Sequence, residues 1–261
     1  MTNRVTMITG AASGIGKGIA EKFAAEGNDL ILIDLQAEKL AEVKSDLMNT
    51  YTGLNILLLA GDLTSESFVQ EILEESSKTF SGINVLVNSA GIFPSTPFHQ
   101  ITRDEWNQVF NLNVSSVFFL TQQVSKWMIE SESEHANIVN ITSAASEVAR
   151  PGVSHYCSSK AAVKMLTQVL ALELAPYQIR VNAVGPGLVE TETLLKTLTT
   201  EKAKTEHLEK VSYSPLNRTA KVDEIADSVY FIASPQASFV TGQNLLVDGG
   251  YSAGRVFKSF A

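Results

Sequence analysis

Seven short runs of β-favouring apolar residues punctuate the chain, at residues 5–8, 30–33, 56–60, 85–88, 138–141, 179–184 and 244–247, and most of the intervals between them carry helical patterns. Strands separated by helices enter one sheet through crossovers, so neighbouring strands run parallel. The alternation therefore predicts an α/β fold, a doubly wound seven-stranded parallel sheet with helices on both faces. A chain of 261 residues with 44% hydrophobic content buries one sizeable core. No linker-like stretch divides it, so residues 1–261 read as a single domain. Helices are expected over residues 67–80, 102–129, 154–174 and 222–232, with Thr102 and Glu105 forming a capping box at the start of the second. A polar insert at residues 130–135 precedes the fifth run. Residues 188–215 are rich in Thr, Glu and Lys, with Leu194, Leu195, Leu198 and Leu208 interspersed. That segment suits a substrate lid, with a surface helix pair as the alternative.

Ligands of such sheets bind outside the carboxyl ends of the strands, where the strand order reverses. The first run ends in Thr9-Gly10-Ala11-Ala12-Ser13-Gly14-Ile15-Gly16 and a helical pattern follows. A strand, a glycine turn and a helix N-terminus offer backbone N–H groups and a dipole to a phosphate. The spacing is G-x-x-x-G-x-G, not the G-x-G-x-x-G usual in dinucleotide folds. The second run ends at Asp34, about 20 residues past the glycines, where an acid accepts hydrogen bonds from an adenosine ribose. Its charge repels a 2′-phosphate, and no Arg or Lys stands at Ser13, Leu35 or Gln36 to receive one, so NAD is favoured over NADP. The same carboxylate also suits a cap for a helix beginning near Gln36. The third run ends in Gly61-Asp62-Leu63-Thr64, the fourth in Asn88-Ser89-Ala90-Gly91, the sixth in Gly185-Pro186-Gly187 and the seventh in Asp248-Gly249-Gly250.

The fifth run leads to Ser143, just past a strand end, and Pro151-Gly152 turns the chain into the helix that carries Tyr156 and Lys160. Residues four apart share a helix face. A phenol titrates near ~10, and an ammonium about 4 Å away favours the phenolate by roughly 4 kcal/mol at intermediate dielectric. That is about three pKa units, enough to make a working base. A serine hydroxyl in the same cavity can hold a carbonyl or alcohol oxygen. Alone, the Tyr–Lys pair is weak, because a solvated i, i+4 pair is the default.

The totals exclude other classes. Net charge −8, pI near 5.1 and the lack of a basic run argue against a nucleic-acid partner. No apolar stretch approaches the ~18 residues of a membrane span, and no charged-then-apolar leader opens the chain. Cys157 is the one cysteine, which fits a reducing compartment and a cytoplasmic location, and it points about 100° away from Tyr156 as a structural thiol. His99, His135, His155 and His207 lack ligand spacing, so no metal is expected, and His155 is given a surface role.

With these residues in view, the chain resembles the short-chain dehydrogenase/reductase family from end to end. The resemblance implies a Rossmann-like fold. It makes Gly10, Ser13, Gly14, Ile15 and Gly16 the cofactor loop, Asp34 and Leu35 the ribose contacts, and Asp62 and Leu63 the flanks of the adenine. Asn88, Ala90 and Gly91 line the cofactor's middle, and Pro186, Gly187, Val189 and Thr191 hold the nicotinamide carboxamide. Asn113, Ser143, Tyr156 and Lys160 match the catalytic tetrad, with Ser89 where Asn is commoner. In that family Tyr156 exchanges a proton with the substrate oxygen while hydride passes to or from the nicotinamide. Lys160 lowers the phenol pKa and holds the ribose, Ser143 positions the substrate, and Asn113 anchors a relay water. The interval from Asn113 to Ser143 is slightly long, leaving Asn111 as the alternative to Asn113. The implied activity is NAD-dependent interconversion of a secondary alcohol and its ketone. Glu147, Arg150 and His155 near the site point to a small polar substrate: a sugar, polyol or hydroxy acid. The alternatives are a 3-oxoacyl-thioester reductase and a non-catalytic dinucleotide-binding protein. The resemblance also implies a homotetramer, with the tail at residues 251–261, Phe257 and Phe260 included, reaching a neighbour.

Overall fold

A computed structural model describes residues 3–254. Seven parallel strands form one sheet, β1 (Val5–Thr9), β2 (Asp29–Asp34), β3 (Ile56–Ala60), β4 (Val85–Asn88), β5 (Asn137–Ile141), β6 (Arg180–Pro186) and β7 (Asn244–Val247), in the order β3-β2-β1-β4-β5-β6-β7. The strands are near-continuous apolar runs because both faces of the sheet are covered. In β2 the alternation is plain: Leu30 and Leu32 join a core with Ile19, Phe23, Leu40 and Val229, while Ile31 and Ile33 join another with Phe68, Ile72, Leu120 and Val124. The first face is covered by α1 (Gly14–Ala25), α2 (Ala37–Thr50) and α9 (Val222–Ala233); the second by α3 (Glu66–Thr79), α5 (Ser116–Glu130) and α6 (Ser154–Leu174). Each buried Ile or Leu contributes about 1.5–3 kcal/mol.

One expectation needs correction. The stretch at residues 102–129 is not one regular helix. It divides into α4 (Arg103–Phe110), a π-helical turn (Asn111–Ser115) and α5. A π turn inserts an extra residue and rotates the helix beyond it. Here Asn113 is fully buried and Asn111 faces solvent. Residues 188–215 hold two short helices, α7 (Glu192–Thr197) and α8 (Glu201–Ser212), capped by the hydroxyls of Thr191 and Thr200. The predicted tail contact at Phe257 and Phe260 lies outside the described residues.

The order of the sheet reverses between β1 and β4, and there the two strand ends approach closely. Thr9 Oγ1 accepts from the amides of Ser89 (3.0 Å) and Ala90 (3.1 Å), tying the two strand ends together. Gly10 has φ +69°, and a Cβ on it would stand 2.9 Å from Ala90 Cα. A Cβ on Gly16 would overlap the Gly10 carbonyl oxygen. Only glycine lets the first turn of α1 fold back on the loop in this way. Gly16→Ala is accordingly expected to lose about 1–3 kcal/mol of stability in urea unfolding, the cost of overpacking a close backbone contact.

Candidate active site

At the reversal point, α1 begins at Gly14 with Ser13 as its N-cap, and the Ser13 side chain makes no capping bond. The first amides of α1 therefore remain available to an anion. Asp34 closes one side of the loop. Its Oδ2 accepts from Ala12 N and its Oδ1 from Gln36 N, both at 3.0 Å. The carboxylate thus holds the glycine loop and leads into α2 together, and each oxygen keeps lone-pair capacity for a ribose hydroxyl. Leu35 beside it is 72% exposed, an open apolar surface next to that carboxylate. Thr191, at the start of α7, brings its Cγ2 to 3.6 Å from a Cβ built on Gly14, so this segment packs against the glycine loop. Charge, glycine backbone and helix terminus fit a nicotinamide dinucleotide.

Several predicted contacts have side chains or backbone engaged, in whole or in part, with the rest of the protein. Leu63 is buried in the core, and Asp62 turns one carboxylate oxygen onto the amide and hydroxyl of Thr64 (2.8 Å each). The Asn88 amide donates to Thr121 Oγ1 (3.0 Å) and Asn140 Oδ1 (2.8 Å) inside the protein. Val189 is buried and bridges to Ala220. Gly187 packs against Asp248, with 2.7 Å between a Cβ built on it and Asp248 Cα.

Across the cleft, Ser143 caps the turn after β5 by accepting from Ala145 N (3.1 Å). Tyr156 sits in the first turn of α6, half-buried, with Ser143 beside its hydroxyl. Lys160, one turn on, is buried, and its Nζ donates to the Ile141 carbonyl at 2.8 Å. That nitrogen lies 5.8 Å from the Tyr156 ring centroid and 3.6 Å from a Cβ built on Gly91. The two halves of the cleft therefore meet at Gly91. Asn113 supports both. Its amide donates to Ile92 O (2.9 Å) and Ser159 Oγ (3.1 Å), and its Oδ1 accepts from Ile92 N (2.9 Å). Ser159 in turn donates to the Tyr156 carbonyl at 2.8 Å. With its side chain so engaged, Asn113 fixes the backbone on either side of the cleft.

The electrostatics differ from the sequence expectation. Burial pushes the Tyr156 phenol up, and a hydrogen bond with Ser143 and the charge of Arg150 only partly offset this. Lys160 is not among the groups that offset this, and its ammonium is bonded to the Ile141 carbonyl. Burial lowers Lys160 itself from its ordinary 10.5 to about 8. At neutral pH Tyr156 is an acid and Lys160 a destabilised cation, the arrangement for delivering a proton to a carbonyl oxygen.

The three polar residues near the site part company. His155 is not at the surface: it is fully buried, with Nε2 3.2 Å from Glu105 Oε1, because the first turn of α6 packs it beneath α4. Glu105 also accepts from Thr96 Oγ1 at 2.6 Å. Glu147 pairs with Lys164 at 2.6 Å. Arg150 lines a cavity of about 470 Å³ together with Ser143, Gly187, Glu209, Tyr213 and Asp248. Phe93 stands edge-on to Tyr156, centroids 6.3 Å apart. Sequence reasoning places Thr9 in the cofactor loop without its bonds to β4, and misses Ser159 as a site residue. Thr9 stands inside the glycine motif, but its double acceptor role depends on β4 arriving beside it, and nothing local marks Ser159. Among the described residues, no three His, Cys, Asp or Glu side chains gather as a metal site, and no helix is long and apolar enough to cross a membrane.

Known proteins resemble this chain along nearly its whole length. The family model for enoyl-(acyl carrier protein) reductase matches residues 10–252. An NAD-dependent glycerol dehydrogenase of Listeria innocua serovar 6a is 34% identical over 252 residues, covering 97% of this chain and 95% of the relative. A 3-oxoacyl-[acyl-carrier-protein] reductase of Thermotoga maritima is 36% identical over 250 residues, covering 96% and 98%. The crystal structure of levodione reductase superposes with a TM-score of 0.92 at 32% identity, over 98% of this chain and 100% of that one. A sheet with this strand order, a glycine cradle at its reversal point and relatives along nearly the whole length lead to one assignment: the chain belongs to the short-chain dehydrogenase/reductase family of oxidoreductases.

Proposed function

We propose that the protein is an NAD-dependent oxidoreductase interconverting a small polar secondary alcohol and its ketone, with Asn113, Ser143, Tyr156 and Lys160 as its tetrad. The observation that carries the reading is the meeting of a buried amine, a buried phenol and a serine hydroxyl at the mouth of a glycine-lined cradle closed by Asp34. In this reading the amides of Gly14, Ile15 and Gly16 hold the diphosphate, Asp34 the adenosine ribose, Lys160 the second ribose, and Thr191 the carboxamide. The bound dinucleotide supplies the hydride donor or acceptor. Ser143 holds the substrate oxygen, and Tyr156 gives that oxygen a proton in reduction and takes it back in oxidation. Lys160 is the cation through which the Tyr156 proton is replaced, and Asn113 keeps both sides of the cleft in register. Residues 188–215 act as the lid of a single catalytic unit, and α8 already contributes Glu209 and Lys210 to the cavity wall. Exposed Phe119 on α5 and Met165 and Leu172 on α6 suit assembly as a homotetramer.

A second reading, reduction of a 3-oxoacyl thioester, draws on the Thermotoga relative. The negative charge of Asp34 stands against it wherever that reaction draws on a 2′-phosphorylated cofactor.

Tyr156→Phe is expected to lower kcat by about 100-fold or more while NADH binding, followed by fluorescence, stays within a few-fold of wild type. Undiminished turnover would remove Tyr156 from the mechanism. Asp34→Asn keeps the acceptor toward Ala12 but not the charge, so the preference for NADH over NADPH in titrations should fall roughly 10-fold or more; an unchanged ratio would reassign cofactor choice to other residues. Lys160 gives a pH signature in the protein without cofactor. The unfolded chain holds its proton up to 10.5 and the folded chain only to about 8, so wild-type stability rises with pH through that window. Measured against Lys160→Met, wild type should gain about 2 kcal/mol in urea unfolding between about pH 7.5 and about pH 9.5. A flat difference would mean a hydrated ammonium.

A further inference from the structure

We propose that the substrate carries a carboxylate within a few bonds of its reacting carbon, and that Arg150 is the group that recognises it. The proposal rests on the oxidoreductase reading above and narrows its substrate to a small hydroxy acid and the matching oxo acid, rather than a neutral polyol or sugar.

The charged side chains around the cavity are unequally engaged. Four acids line it, and each already has a partner. Glu209 Oε1 accepts from the Tyr213 hydroxyl at 2.6 Å. Glu224 receives both arms of Arg218 (2.6 and 2.7 Å). The Asp248 oxygens accept from the amides of Gly250 and Ser252 at 2.9 Å each. Glu206 stands 3.9 Å from Lys202. The cavity cations divide differently. Arg218 is held by Glu224, whereas Arg150 and Lys210 have no side-chain hydrogen bond or ion pair among the described residues. With the Glu224–Arg218 and Glu206–Lys202 pairs set aside, Arg150 and Lys210 are the cavity's cations without a side-chain partner among the described residues, while Glu209 and Asp248 are bound by neutral donors.

Of those two cations, Arg150 is on the active-site side. It lies beyond the turn capped by Ser143 and shares the cavity wall with Ser143 itself, and its charge is felt at the Tyr156 hydroxyl. A guanidinium offers paired N–H donors in a plane, which match the two oxygens of a carboxylate. A cavity of about 470 Å³ takes a small organic acid. Phe93, edge-on to Tyr156 and 64% exposed, adds an apolar surface beside the phenol. Glu147 and His155, the other polar residues near this segment, are turned to Lys164 and Glu105 and do not compete for the role.

The test compares kcat/KM with NAD for short 2- and 3-hydroxy carboxylates and for neutral diols of equal carbon count, in wild type and Arg150→Gln. The ratio of acid to diol is the readout, because any effect of the lost charge on Tyr156 is common to both substrates. The ratio should favour acids in wild type, fall on the order of 10-fold in Arg150→Gln, where a partly exposed charge-assisted hydrogen bond is lost, and recover in part in Arg150→Lys. Malonate, an unreactive dicarboxylate, should inhibit diol oxidation competitively in wild type and more weakly in Arg150→Gln. A wild type that turns over only neutral diols, or a ratio and a malonate inhibition that the substitution leaves unchanged, would overturn the carboxylate assignment while leaving the oxidoreductase reading intact. No hydride transfer from any alcohol, with NAD or NADP, would remove that reading and this proposal with it.

Discussion

The Thr9 hydroxyl, accepting two amides from the end of β4, holds the architecture at its critical point. A doubly wound sheet opens a crevice wherever neighbouring strands send their connections to opposite faces. Here that place is the seam between β1 and β4. Strands that diverge are prone to leave their terminal amides without partners, and each buried amide left unpaired costs about 1–3 kcal/mol. The Thr9 hydroxyl satisfies two of them and draws Ala90 against Gly10. The cradle floor is therefore rigid and nearly bare backbone, the surface that a phosphate chain requires. Asp34 does similar work on the other side, anchoring the loop at Ala12 while facing the cleft.

Behind the cleft runs a buried polar ladder. Asn88 reaches Asn140 and Thr121, Asn140 reaches Thr167, and Thr167 closes on the Val163 carbonyl at 2.8 Å. A separate cluster joins Asn113 to Ile92, Ser159 and the Tyr156 carbonyl. Such networks add modest net stability but strongly disfavour misalignment, because one slipped register leaves several polar groups unpaired. They fix α6 relative to the strand ends, and Tyr156 and Lys160 inherit their positions from that docking.

Burial is the dominant influence on Tyr156 and Lys160 themselves. It raises the phenol, lowers the amine to about 8, and outweighs the partial help from Ser143 and Arg150. The expectation that Lys160 depresses Tyr156 assumes an ammonium aimed at the phenol in a medium of intermediate dielectric. The Ile141 carbonyl takes that ammonium instead. Desolvation acts on each group separately and needs no particular orientation, whereas Coulombic help needs the charge near the hydroxyl. Geometry decided between them.

Local pattern alone carried the seven strands, the glycine turn, Asp34 at a strand end and the four-residue step from Tyr156 to Lys160, because period, turn chemistry and strand length are properties of contiguous residues. Several features were out of reach. The π turn that drives Asn113 inward, the sinking of His155 onto Glu105, the diversion of Asn88 into the interior and the place of Arg150 on the cavity wall all depend on partners 21 to 52 positions away or on the packing around the cavity. A side chain's chemistry is written in its own residue type. Which neighbour it answers to is settled by packing, since only the folded chain brings distant donors, acceptors and apolar walls within the few ångströms over which hydrogen bonds and desolvation act.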